Sequence, residues 1–246
     1  EFGTEAGEKL LPAMLEFYRL CGIRKPEFMG WNQVELDKKK YIKGWSPIKN
    51  TDFSLTEFSG ELDRYLESYE SIKRILSEVE PIIPQERKDA FFAQIKYPVF
   101  GAAAMSTKML EAQRARCIFP GSCDTNLWTR ESQLMNACAK SIKAYQEIRD
   151  LTDYYNHKLA GGKWKYSMCY NPRDLYVFYP PTLPIWLTDQ EIEKYTFPES
   201  TKSLPLKEVS KDKCIVANAC NYTKATDGVI VIQSLGHSMN AVSLPK

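Results

Sequence analysis

Few side chains in this 246-residue sequence are spaced for catalysis. There is no Gly-rich phosphate loop, no Gly-x-Ser-x-Gly elbow and no His-Glu-x-x-His pair. Ser-His-Asp chemistry would have to recruit His157 or His237, and the residues around neither mark it as a base. His157 sits beside Lys158 at the end of a helical pattern, where a cation suits the helix dipole, so capping is its expected role. The seven cysteines form no Cys-x-x-Cys pair, and the two histidines are far apart in sequence, so no zinc ligand set is expected. No catalytic residue, metal or cofactor is assigned.

Two short stretches do carry recognition chemistry. Gly161-Gly162-Lys163-Trp164 through Asn171-Pro172-Arg173-Asp174 is a tight turn dense in aromatics, with an amide and a guanidinium. Trp164 or Tyr170 would offer a sugar a flat apolar face, and Arg173 would offer a uronate carboxylate a bidentate cation. The structural alternative is that Trp164 plugs the end of a helical core while Arg173 pairs with Asp174 or a backbone carbonyl. Leu235-Gly236-His237-Ser238-Met239-Asn240 is the second stretch, and it also reads as a strand-connecting turn. Cys117 and Cys123 could close a small disulfide loop in an exported protein, or remain free thiols. Cys21 and Cys138 fall at apolar helix positions, where a buried inert thiol is expected.

The elements that position these residues are helical over the first two thirds. Leu11, Met14, Leu15 and Tyr18 predict the inward face of a first helix from about residue 5 to 21. Phe58, Leu62, Tyr65, Leu66, Tyr69, Ile72, Leu76 and Val79 predict a second from about Thr56, with Ser54 and Glu57 as a capping box. Glu61, Asp63, Glu67 and Glu70 fall on its wet face. A third helix, from about Gln85 to Cys117, should kink at Pro98. Its inward face would carry Phe91, Phe92, Ile95, Val99, Ala102, Met105, Met109 and Ala112. A fourth runs from about Asn126 to Leu159 and stops at Gly161-Gly162. Short connections between long helices predict an antiparallel up-and-down bundle over residues 1–165. An aromatic, Pro-rich connector follows over 166–205, where Thr188 and Glu191 could cap one short helix. Strand-like runs at 214–217, 229–232 and 241–244 then predict the start of a β-domain over 206–246. The fold class is thus mainly α with a few strands of an incomplete β-sandwich.

Composition narrows the partners. Lys plus Arg is 33 and Asp plus Glu is 31, giving a net charge of +2 and no overall nucleic-acid footprint. No apolar run approaches the roughly 18 residues that a membrane span needs. The chain reads as a piece of a longer protein.

Several runs resemble a known family. Arg24-Lys25-Pro26-Glu27, Lys96-Tyr97-Pro98-Val99 and Leu159-Ala160-Gly161-Gly162-Lys163-Trp164 are similar to the C-terminal half of family-115 glycoside hydrolases. Those are α-glucuronidases acting on glucuronoxylan. The aromatic connector and the Leu235–Val242 turn look like the Bacteroides-type members. The resemblance implies an upstream (β/α)8 barrel that holds the catalytic acids and performs inverting hydrolysis. It also implies a helical bundle followed by a β-sandwich, secretion or export to the periplasm, and a possible homodimer. Lys165–Tyr170 departs from the polar, His-containing run of many relatives, and no catalytic residue carries over. Two functions follow as expectations: a non-catalytic accessory region of a xylan α-glucuronidase, or a stand-alone carbohydrate-binding, scaffold or dimerisation module.

Overall fold

In the computed structural model, residues 1–26, 29, 39, 50–118, 127–195, 229–230 and 242–243 are described. Two compact units form, one of Glu1–Phe53 with Leu62–Phe197, the other of Ser54–Glu61 with Pro198–Lys246. The first is helical. Helix α1 spans Thr4–Ile23. Its inward face is Ala6, Leu10, Ala13, Phe17 and Leu20. Leu11, Leu15 and Tyr18, expected inside, are instead 62%, 62% and 64% exposed. Both sets step by three or four residues and differ by one position, about 100° of helix rotation. The helix carries apolar residues on two sides, so periodicity alone leaves its phase open. Ala6 and Ala13 are almost fully buried. Pro12 lies on the exposed side, where water can take the carbonyl it leaves without a donor.

Helix α2 spans Glu61–Val79, with Leu62, Tyr65, Leu66, Tyr69, Ile72, Leu76 and Val79 buried as the periodicity predicts. It starts five residues later than Thr56. Ser54 Oγ does accept from the backbone of Thr56 and Glu57, at 3.3 and 2.9 Å. Phe58, Ser59 and Gly60 then all take left-handed backbone angles, with φ of 51°, 57° and 69°, and a helix cannot run through them. The capped turn therefore precedes the helix instead of opening it, and Phe58 is not part of the stripe.

The predicted third helix is divided. A 3-10 turn at Gln85–Arg87 and helix α3 (Lys88–Phe91) lead into a π-helical turn at Phe92–Lys96, and helix α4 follows at Tyr97–Ile118. Tyr97 N–H donates to the carbonyl of Phe92, one residue further back than in an α-helix. This wider turn sits where Pro98 removes a donor, so the chain absorbs the proline by a local change of helix type. Helix α5 spans Leu127–His157 and helix α6 spans Asp189–Tyr195.

The contacts show how neighbouring helices run. The Tyr65 hydroxyl donates to Arg24 O at 3.1 Å, near the end of α1, and Phe2 packs edge-on against Phe91 at 5.7 Å. Between α2 and α4, Asp63 pairs with Arg114 while Lys73 lies 5.1 Å over the Phe100 ring. Between α4 and α5, Tyr97 meets Tyr155 at 4.8 Å, Ser141 Oγ donates to Lys108 O at 2.7 Å, and Ala115 shares a cluster with Leu134 and Cys138. Numbers rise along one helix as they fall along the next, so these pairs are antiparallel.

Two stretches complete the picture. Beyond α5, Val177, Leu187 and Ile192 are buried. Leu187 and Ile192 join Ala115, Leu134, Ala137, Cys138, Ala139 and Ile142 in one cluster. The expected cap of α6 forms: Thr188 Oγ1 and N–H both donate to Glu191, at 2.8 and 2.9 Å. In the second unit, strands β1 (Val229–Ile230) and β2 (Val242–Ser243) pair antiparallel, with Val229 opposite Ser243. The expected strand at 214–217 and the Leu235–Asn240 turn lie outside the described residues.

This arrangement predicts the response of α2 to truncation. Tyr69 is fully buried and Glu67 is exposed. Tyr69→Ala should cost about 3–5 kcal/mol of stability, as large-to-small core changes do. Glu67→Ala should stay within about 0.5 kcal/mol. Thermal melts followed by circular dichroism compare the two, and equal losses would contradict the helix phase.

Candidate functional site

The Gly161–Asp174 stretch is built from the end of α5. Helix α5 closes at His157, whose Nδ1 lies 3.2 Å from Asp153 O. The chain then reverses through left-handed residues, with φ of 49° at Ala160, 66° at Gly161 and 82° at Gly162. Gly162 is required twice over: its φ disfavours a side chain, and a Cβ there would meet His157 O at 3.1 Å. Successive tight turns follow, closed by Lys163 N–H to Ala160 O (3.3 Å), Lys165 N–H to Gly162 O (3.2 Å) and Ser167 N–H to Trp164 O (3.0 Å).

Three contacts pin this coil to α5. Asn156 donates from Nδ2 to Met168 O and accepts from Met168 N–H, both at 2.9 Å. The Tyr170 hydroxyl donates to Asp153. The Arg149 guanidinium lies over the Tyr170 ring, 4.4 Å from its centre. Asp153 holds the phenol in its neutral form, which pushes the Tyr170 pKa up. Tyr170 is thus occupied at both its hydroxyl and one ring face, and its place is that of a pin.

The other expected residues are more open. Trp164 is 42% exposed, so it is not enclosed as a plug, and Lys163 Nζ lies 5.2 Å from its ring centre. Arg173 is exposed, at φ 55°, and pairs with none of the described residues. Asp174 instead accepts from the Tyr179 hydroxyl, so the expected Arg173–Asp174 pair does not form. Among the described residues no hydrogen bond or ring contact joins Trp164, Tyr170 and Arg173 to one another. Sequence reasoning passed over Tyr166, which is 82% exposed with Lys165 Nζ 5.1 Å from its ring centre. A signal for it was present: the 20 residues from Tyr154 to Arg173 contain Lys158, Lys163, Lys165 and Arg173 and no Asp or Glu.

The path beyond the turn is fixed by a second unforeseen residue. Lys108, on α4, is 1% exposed. Its amine donates to the carbonyls of Val177 and Tyr179, the latter at 3.0 Å, and lies 5.7 Å from the Tyr145 ring centre. Burial pushes its pKa down to about 7. Elsewhere, Cys117 carries an exposed thiol that accepts from Asn50 Nδ2 at 3.4 Å, and Cys123 lies outside the described residues. Among the described residues no group of three or more His, Cys, Asp or Glu side chains could hold a metal ion.

Comparison with known proteins bears on this surface. No family model and no curated protein matches the chain. One solved structure does: a family-115 4-O-methyl-α-glucuronidase with specificity for decorated arabinogalactans. It is 33% identical over 73% of this chain, with a TM-score of 0.56. The chain is related to the C-terminal region of the family-115 glycoside hydrolases. It spans about a fifth of that relative's length, the matched part being 20% of that chain. The family-115 resemblance carried by Lys96-Tyr97-Pro98-Val99 and Leu159–Trp164 therefore holds.

Two outcomes follow from these residues. Tyr166 holds φ 66°, a left-handed conformation that costs a residue with a Cβ roughly 1–2 kcal/mol. Tyr166→Gly should therefore leave the melting temperature unchanged or raise it, whereas Gly162→Ala should lower it. For Lys108, the folded pKa of about 7 lies below the ordinary 10.5 of the unfolded chain. Between those values the unfolded chain binds more protons, so stability should rise with pH, by at most about 1.4 kcal/mol per unit. Lys108→Met should remove that rise, measured as the difference in melting temperature between pH 7 and 9.

Proposed function

We propose that this chain is a non-catalytic accessory region of an α-glucuronidase that removes (4-O-methyl)glucuronic acid from a polysaccharide by inverting hydrolysis. The catalytic barrel lies upstream in the parent chain. The observation that carries this reading is the 33% identity to a 4-O-methyl-α-glucuronidase of which the chain spans 20%. Most of a parent of that length is free to supply the reaction. In this reading residues 1–165 form an up-and-down bundle, 166–205 a connector and 206–246 the opening of a β-sandwich. The antiparallel contacts of α1, α2, α4 and α5 support the bundle, and the β1–β2 pair supports the sandwich. The parent works in the periplasm or outside the cell, and a homodimer is compatible with it. Among the described residues no helix is long and apolar enough to cross a membrane.

Glucuronoxylan is the polymer implied by the family resemblance. Decorated arabinogalactan is a second substrate reading, favoured by the specificity of the solved relative. In either polymer the uronate supplies the carboxylate that Arg173 suits and a sugar ring that Trp164 suits, while Tyr170 holds the coil beneath Arg149. Arg173 supports the assignment through its exposure and its lack of an ion pair among the described residues.

The chain alone should release no 4-O-methylglucuronic acid from glucuronoxylan or from decorated arabinogalactan, and the full-length enzyme should release it from at least one. Release by the chain alone would refute the accessory reading. In the full-length enzyme, Arg173→Ala should raise KM by about tenfold or more, equivalent to the roughly 1.5–3 kcal/mol of a charged hydrogen bond. Its melting temperature should not change. Unaltered kinetics would remove Arg173 from the substrate path.

A further inference from the structure

We infer that the coil from Lys158 to Arg173 is a docking surface for a uronate-bearing polysaccharide chain, with Trp164 and Tyr166 as sugar platforms and the surrounding lysines as carboxylate partners. The choice of polymer rests on the accessory-region reading; the surface itself rests on independent observations.

The first observation is charge. A chain of net charge +2 places four cations and no carboxylate in the 20 residues from Tyr154 to Arg173. Lys158, Lys163, Lys165 and Arg173 are all exposed, and none forms an ion pair with a described residue. The flanking Asp153 and Asp174 accept from the neutral Tyr170 and Tyr179 hydroxyls and keep their charge, so residues 153–174 set four cations against two carboxylates, a local excess of positive charge. On the helices Lys9, Arg19, Lys73, Lys96 and Arg114 each hold a carboxylate, while Arg74, Lys88, Lys143 and Lys194, like the coil's cations, hold none among the described residues. The coil is therefore a local positive field open to an anion.

The second observation is the aromatic content of that field. Trp164 and Tyr166 are exposed and each has a lysine amine within about 5 Å, at 5.2 and 5.1 Å of the ring centre. Each amine lies over one face of its ring, so a pyranose carrying a carboxylate would stack on the opposite face, with the coil's lysines as partners for the carboxylate. The third is backbone strain. Of the six non-glycine residues at positive φ among those described, Ala160, Tyr166 and Arg173 lie in this coil and Asp174 directly follows it. Strain of this kind persists where surrounding contacts over-determine it, and it gathers at ligand-binding sites. Here the turn hydrogen bonds and the Asn156–Met168 pair supply those contacts. The platforms are thus held in place before any ligand arrives, which lowers the ordering cost of binding. Tyr170, pinned under Arg149, supports the coil rather than meeting the polymer.

Affinity electrophoresis and calorimetry on the full 246-residue chain test this. The probes are glucuronoxylan, the same polymer with its carboxyls reduced to alcohols, and single-stranded DNA. Binding to glucuronoxylan should weaken at least tenfold on carboxyl reduction, and should fall as ionic strength rises from about 0.02 to about 0.3 M. Trp164→Ala and Tyr166→Gly should each weaken binding about fivefold or more, while circular dichroism shows an unchanged helical fold. Lys163→Gln with Lys165→Gln should flatten the salt dependence. Absent binding, equal affinity for the reduced polymer, or unaffected variants would each overturn the inference, and tighter binding of DNA would overturn its choice of partner. The full-length enzyme separates the two readings. If it releases glucuronic acid while the chain binds no polymer, only the docking surface fails. If it releases none while the chain binds as expected, only the accessory reading fails.

Discussion

The structure depends on the enclosure of helix α4. Between Ala102 and Ala115 nearly every residue is buried, on all sides of the helix rather than along one stripe. Small side chains at Ala102, Ala103 and Ala104 let neighbours approach on one stretch. On the next, the buried set includes Lys108, Glu111 and Gln113. A buried polar group without a partner costs roughly 1–3 kcal/mol, and a charged one more, so each of these must recruit a neighbour. Gln113 accepts from Thr51 N–H at 2.7 Å and donates to Phe53 O at 2.9 Å. Glu111 meets Arg114 at 2.9 Å and Lys140 at 3.8 Å, and Arg114 in turn holds Asp63. Burial pushes the Glu111 pKa up, while Arg114 and Lys140 oppose that shift. Lys108 takes the carbonyls of Val177 and Tyr179. The helix organises its surroundings because its own polar groups require them.

The same requirement reaches the candidate site. By holding Val177 and Tyr179, Lys108 fixes where the chain goes after the coil at 160–174. Arg116 adds a bond to Thr182 O at 2.9 Å. At the other end, Asn156 and Asp153 hold Met168 and Tyr170 against α5. The coil is therefore anchored before and after its exposed residues. Loops carry recognition most effectively when a rigid scaffold fixes both ends, and that division of labour is visible here. The buried groups provide position, and Trp164, Tyr166 and Arg173 stay exposed between the anchors.

The surfaces that the helices leave open differ in kind. On α1, Leu11, Leu15 and Tyr18 form an apolar stripe at steps of four and three residues. At the end of α5 the exposed aromatics are interleaved with cations. The first is a run of exposed apolar side chains, whereas the second sets exposed rings beside ammonium groups that hold no carboxylate among the described residues.

Elements whose signals are local could be read from the residues alone. The buried face of α2 was legible because its apolar stripe is opposed by an unbroken polar face, which leaves one phase. Gly161-Gly162 was legible as a stop because left-handed backbone favours glycine, and the Thr188–Glu191 cap because its bonds span three residues. The Trp164–Arg173 turn was legible as a candidate from its residue types, and the family from ordered short motifs. Features that depend on distant partners emerged from packing. The phase of α1 was set by packing, which buries Ala6, Leu10, Ala13, Phe17 and Leu20, since its sequence is apolar on two sides. The π-helical turn before Pro98 is one of several ways a helix can absorb a missing donor, and packing selects among them. Lys108 looks like a surface lysine in sequence, because nothing local reveals that the Val177–Tyr179 segment covers it. Tyr170 and Tyr166 have the same kind of ring four residues apart. That one is pinned under Arg149 and the other open to solvent follows from the three-dimensional path of the coil, which no periodicity encodes.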